Sequence, residues 1–206
     1  MTISNANYSL FGTTPAGASV VQNLVINTGH YWINTLTLGG TLVVNASKHF
    51  QTYGSATGGS RAIVVNGDVT LNGRLTAYKP AELDLAVTFG SLTINSGGEY
   101  RATSGTTTIT SMTSTGSGLN TAGGGTFTHN NGLVHINAGA NSGHIRVEPY
   151  NLKTTMNSSS RVIWRDVSGN VMTVANNLTI VEGGFDRDSL TDNLTVTGDV
   201  VIEDGG

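Results

Sequence analysis

From Val20 onward the chain alternates in short bursts, each about three to six residues of Val, Ile, Leu and Thr with apolar and polar positions exchanging at every step. A period of two over so few residues predicts a half-buried β-strand rather than a helix. The bursts fall within residues 20–29, 31–47, 61–78, 86–105, 106–118, 125–139, 144–154 and 161–184, and Asn-Gly, Gly-Gly, Gly-Asp or Ser-Gly bounds them. The stretch from Asn177 to Gly206, NLTIVEGGFDRDSLTDNLTVTGDVVIEDGG, states one unit twice: a short strand, a polar turn, a second short strand and a glycine-rich close. Helix is predicted only over Lys79 to Ala86, where Pro80 suits a first helical position. Residues 48–60, 140–143 and 155–160 read as loops.

Turn-punctuated strands can build a sandwich, a barrel or a solenoid. Three features favour the last. Phrases such as Leu24-Val25-Ile26-Asn27, Leu92-Thr93-Ile94-Asn95 and Leu178-Thr179-Ile180 recur along the chain, and recurrence on this scale marks stacked rungs. The strands are shorter than sandwich strands usually are. Asparagine is frequent at strand ends (Asn27, Asn45, Asn66, Asn72, Asn95, Asn137), where it tolerates left-handed backbone and can stack into ladders. The expected fold is therefore all-β, a right-handed parallel β-solenoid (β-helix) in one elongated domain over residues 20–206. Residues 1–19 are read as an N-terminal cap or attachment segment. At roughly 20 residues per rung, about 8 to 10 rungs are expected.

The phrases GTFTHNNGLVHINAG (125–139), YNLKT (150–154), NNLTIVEGGFD (176–186) and NLTVTGDVVIEDGG (193–206) resemble parallel β-solenoid segments of bacteriophage tail-fibre and virion structural proteins and of bacterial surface adhesins. The resemblance is close over 125–206 and loose over 20–124. It departs from the pattern at Lys153, where an apolar residue is usual, which predicts a distorted rung. It implies an elongated rod on a virion or cell surface, assembled from copies of itself as a homotrimer and attached to other virion proteins at one or both ends.

Composition narrows the chemistry. Ten Lys and Arg against thirteen Asp and Glu give a net charge of −3, and no basic stripe is present to neutralise phosphates, so nucleic acid is not an expected partner. There are no cysteines, which excludes disulfides and Cys-ligated zinc. Neither a signal peptide nor a membrane span is visible; a surface rod without an export signal points to release by lysis and a place on the virion surface. The last strand reaches Asp204-Gly205-Gly206 with no cap after it, so the ends are expected to be held in an assembly.

Candidate sites are few. Asp186, Asp188 and Asp192 in GFDRDSLTD are closely spaced carboxylates able to hold Ca²⁺, set against a solvated loop neutralised by Arg187. Glu82 with Asp84, and Glu203 with Asp204, are the acid pairs nearest in sequence, and neighbours on a strand point to opposite faces. In LVHIN the alternation puts Leu133 and His135 on one face and Val134 and Ile136 on the other, so His135 is expected outside; His129 and His144 lie on other rungs. Tyr31, Trp32 and Tyr53, with Tyr100, can stack on sugar rings of a host-surface glycan, while Trp32 and Trp164 also suit a core or subunit contact. Paired threonines such as Thr106/Thr108 suggest an ice-binding array, but their spacing is irregular. No cofactor is implied, and no catalytic constellation appears. The sequence reads as a non-catalytic structural module, a stiff spacer or host-contact surface; a surface adhesin or glycan-binding module is the alternative, and a polysaccharide-degrading enzyme a more distant one.

Overall fold

The computed structural model describes residues 2–3, 19–31, 36–51, 62–77, 86–112, 117–121, 124–139, 141–165, 171–189 and 193–206. Among them every strand pairing is parallel, which excludes a sandwich or an up-and-down barrel, and no residue is helical. The chain winds as a β-solenoid whose strands fall into three columns.

The first column runs through Ser19–Val21, Leu36–Leu38, the opening half of Ile63–Leu71, the opening half of Val87–Ile94, Thr106–Ile109, Leu133–Gly139, Asn151–Met156, Leu178–Glu182 and Val200–Ile202. The second takes Thr2–Ile3, Leu24–Ile26, Leu42–Val44, the closing halves of Ile63–Leu71 and Val87–Ile94, then Ser117–Asn120, Gly143–Arg146, Arg161–Trp164 and Gly184–Arg187. His30–Tyr31, His49–Gln51, Arg74–Thr76, Glu99–Arg101 and Thr126–Thr128 make the third. Val171–Val174 and Asn193–Val196 pair separately. Between these two groups lies Pro149, which has no N–H to give a ladder; its carbonyl still accepts from Ala175 N at 3.0 Å.

Each column stacks like on like. In the first, the inward positions pass from Leu36 to Ile63, Val87, Thr107, Val134, Leu152 and Leu178, all buried, and a parallel row from Leu38 to Val65, Phe89, Ile109, Ile136 and Thr154 is buried as well. Parallel pairing in register superposes the same face of successive strands, so one alternating pattern yields a continuous aliphatic interior. Each large aliphatic side chain fully withdrawn from water stabilises by about 1.5–3 kcal/mol. Lys153 pairs in register with His135 before it and Thr179 after it. The expected distortion of this rung falls just after that residue, where the register shifts between Thr154 and Thr155 on one side and between Ile136 and Gly139 on the other.

At the bend between the first two columns, Gly40, Gly67 and Gly90 stack. A Cβ on Gly67 would sit 2.7 Å from the Gly40 carbonyl oxygen, and one on Gly90 would sit 2.6 Å from that of Gly67. Successive backbones approach too closely there for any side chain. At the next corner asparagines stack: Asn45 donates to Asn27, and Asn95 Nδ2 donates to Asn72 Oδ1 at 2.8 Å. The expected asparagine ladders thus form. Among the described non-glycine residues, left-handed backbone occurs instead at Ser47, Asn130 and Asn131, the last two at the centre of a turn closed by Gly132 N on His129 O.

Several expected loops are partly strand. His49–Gln51 belongs to the third column, Gly143 opens a strand, and Thr155–Met156 still pairs before a turn closes from Asn157 O to Ser160 N. The predicted helix, apart from an exposed, non-helical Ala86, lies outside the described residues, as do residues 4–18 of the predicted cap. Thr2–Ile3 pairs with Leu24–Ile26.

Candidate binding face

The third column carries the most concentrated chemistry. Alternation sends Phe50, Leu75 and Tyr100 inward, each fully buried. The positions on either side then form two rows on the outer side of the strands. One runs His49, Arg74, Glu99, Thr126; the other runs Gln51, Thr76, Arg101, Thr128. Neighbouring strands lie about 4.8 Å apart, so charges that are distant in sequence stand side by side. Glu99 accepts from Arg74 Nε and from Arg101 Nε, each at 2.5 Å. Gln51 Nε2 donates to His49 Nδ1 at 3.1 Å, which leaves the proton on Nε2, and that nitrogen donates to Thr76 Oγ1 at 2.8 Å.

Titration follows from these contacts. Burial alone would raise the Glu99 carboxyl, but the hydrogen bonds from Arg101 and Arg74 outweigh it and hold the group below the ordinary carboxylate value. His49 is held below the usual imidazole value by burial and then by the positive charges of Arg74 and Arg101. Two turns shape the rim: Lys48 N donates to Asn45 O at 3.0 Å and Gly98 N donates to Asn95 O at 2.8 Å, with Ser47 and Gly97 in left-handed conformation at the third position of each. Together Ser47, Lys48, His49, Gly73, Arg74, Gly97 and Glu99 line an open hollow of about 270 Å³.

The aspartates singled out in the sequence lie on the second column and beside it. Asp186 Oδ2 accepts from Arg161 at 2.9 Å, and Asp186 Oδ1 accepts from the backbone N of Arg187 at 2.8 Å. Asp188 accepts from Arg165 Nε and lies 3.4 Å from His144 Nε2. Both carboxyls are held low, Asp186 first by the Arg187 backbone N–H and Asp188 first by the Arg165 side chain. Neutralisation therefore comes from arginines one rung earlier, joined at Asp186 by Arg187, which acts first through its backbone N–H and then through its charge. Asp192 lies outside the described residues. Among those described, no three His, Asp or Glu side chains gather as a metal site.

Tyr100, expected to face a sugar, is instead buried edge-on against Phe89 at 5.7 Å, its hydroxyl 2.9 Å from Thr107 Oγ1. Tyr31 stands in register with Gln51 on the third column; Trp32, Tyr53, Glu82 and Asp84 lie outside the described residues. Trp164 is buried in the interior. His135 faces outward as expected, 3.0 Å from Thr155 Oγ1, while His129 stacks on Tyr150 with ring centres 5.4 Å apart. Glu203 and Asp204 are exposed in the last turn. The threonine row of the first column, Thr37, Thr88 and Thr108, is interrupted by Val64 and ends at His135, which does not make a constant-pitch array. Sequence reasoning missed the Lys48, His49, Arg74, Glu99, Arg101 cluster. Its available signal was the 25-residue step from Arg74 to Glu99, one rung in this part of the coil. No family model, curated protein or solved structure matches the chain.

Proposed function

We propose that the chain is a non-catalytic structural module, a stiff spacer or host-contact surface of the tail-fibre, spike or decoration kind carried on a bacteriophage virion. The observation that carries this reading is the first column, where nine strands follow one another in parallel pairing from Ser19–Val21 to Val200–Ile202. The strands of this column are each hydrogen-bonded to the next, and those within the stack are packed on both neighbours, so bending the axis would strain ladder and interior together. Nine strands about 4.8 Å apart make a stack about 40 Å long. Its role is to hold a surface at a distance, as a homotrimer seated among other virion proteins.

Light scattering tests the assembly, with a mass three times 21.3 kDa expected and a monomer counting against the trimer. Antibodies raised to the chain are expected to label intact phage particles in electron micrographs; labelling of bacterial envelopes instead would transfer the reading to an adhesin. Steady release of reducing ends from a polysaccharide would overturn the non-catalytic assignment. A second reading, a glycan-binding module, draws support from the charged hollow on the third column.

A further inference from the structure

We infer that the hollow lined by residues 47–49, 73–74, 97 and 99 binds a carboxylate group of an acidic polysaccharide, with Lys48 and Arg74 as the charge contacts and Gln51 and Thr128 flanking along the column. The inference deepens the glycan-binding reading and is independent of where the protein resides. Charge carries the first step. Lys48 and Arg74 line the hollow with one carboxylate, Glu99, which leaves its lining one positive charge in excess on a chain whose net charge is −3. Arg74 gives Glu99 its Nε, and a guanidinium has four further N–H donors in a fixed plane suited to a carboxylate. Lys48, on the rim of the hollow, has no carboxylate partner among the described residues and adds a mobile ammonium. Glu99 fixes the two arginines in place, so the site is held open before a ligand arrives.

Shape and surroundings decide the class of ligand. The outer rows carry charged and polar side chains, with Gln51, Thr126 and Thr128 on either side of the hollow, and the large apolar side chains of this column are turned inward. Such a face suits a chain that bears a hydroxyl or carboxylate at every step. An acidic peptide would need an apolar pocket or an open strand edge to be held, and Arg74–Thr76 and Glu99–Arg101 are paired with neighbours on both sides. A nucleic acid would need a denser run of cations than three.

The test uses the full chain and three polymers: polygalacturonate, heparin and neutral dextran. Polygalacturonate is expected to bind, more weakly as salt is added, while dextran does not. Lys48→Gln and Arg74→Gln should each weaken binding by about tenfold, equivalent to about 1.4 kcal/mol, and Lys153→Gln on the first column should leave it unchanged. Lys48 has no ion pair to lose among the described residues, so the effect of Lys48→Gln is separable from folding. Ligand should also raise the titration midpoint of His49, read by NMR, because an anion beside it offsets Arg74 and Arg101. Equal binding of dextran, unchanged affinity in both variants, an equal loss in Lys153→Gln, or binding of heparin alone would overturn the inference. Dextran binding would at the same time leave the broader glycan-binding reading standing.

Discussion

Two rungs with nearly the same local pattern end in opposite environments. In the rung formed by Val87–Ile94 and Glu99–Arg101, Val87, Phe89, Leu92 and Ile94 are wholly buried. In the strand Val200–Ile202, Val200 and Ile202 are in register with Leu178 and Ile180, yet they remain 55% and 64% exposed. Alternation puts both sets on the inward face; only the first is covered from both sides. Among the described residues no strand pairs with Val200–Ile202 on its far side. Burial in this coil is therefore a property of the neighbouring rung, and a residue's contribution to stability depends on where its rung stands in the stack.

The sharpest challenge to that comparison is a matched pair of truncations. Ile94→Ala is expected to lower the unfolding free energy by about 2–5 kcal/mol, and Ile202→Ala to change it by no more than about 0.5 kcal/mol, both from urea titrations; equal losses would break the argument. Next, Gly67→Ala should lose about 1–3 kcal/mol, because its methyl group meets the Gly40 carbonyl. Gly29→Ala, where a Cβ meets nothing, is expected to be neutral or to stabilise by about 0.4–1 kcal/mol. Tyr100→Phe strands the buried Thr107 hydroxyl at a cost of about 1–3 kcal/mol. Adding Thr107→Val should recover most of that loss, and a double variant as weak as the single one would deny the bond its role.

Smaller still is the acid response. Because Glu99 is held below its ordinary value, its contribution is complete above the unfolded-state value near 4.5 and disappears as pH falls through the lower folded-state value. The melting temperature of Glu99→Gln should accordingly vary less than that of the parent protein between about pH 5 and pH 2. Identical slopes would show that the Arg74–Glu99–Arg101 contacts do not stabilise the fold.

Much of the interior is legible in the chain. Leu24-Val25-Ile26 and Leu92-Thr93-Ile94 announce which side chains turn inward, and LVHIN places His135 outside, as found. Glycine and asparagine mark the corners. Tyr100 was misread because its small strand, Glu99–Arg101, gives three residues from which to judge a face, and two charged residues flank it. The charged cluster was invisible for a different reason. Leu42 follows Leu24 by 18 residues in the second column, whereas Val69 follows Leu42 by 27. With rungs so unequal along the chain, the 25-residue step that lines up His49, Arg74 and Glu99 does not stand out as a repeat.

The sequence by itself determined the local states: where strands run, where they turn, and which alternate side chains are apolar enough to leave water. Those follow from backbone and side-chain chemistry within a few residues. Only the tertiary structure decided the register between rungs, because the length of each connection sets which residues of one strand lie over the next. That register joins Arg74 to Glu99, the winding of the coil closes Tyr100 against Thr107, and the place of its strand in the stack leaves Ile202 uncovered.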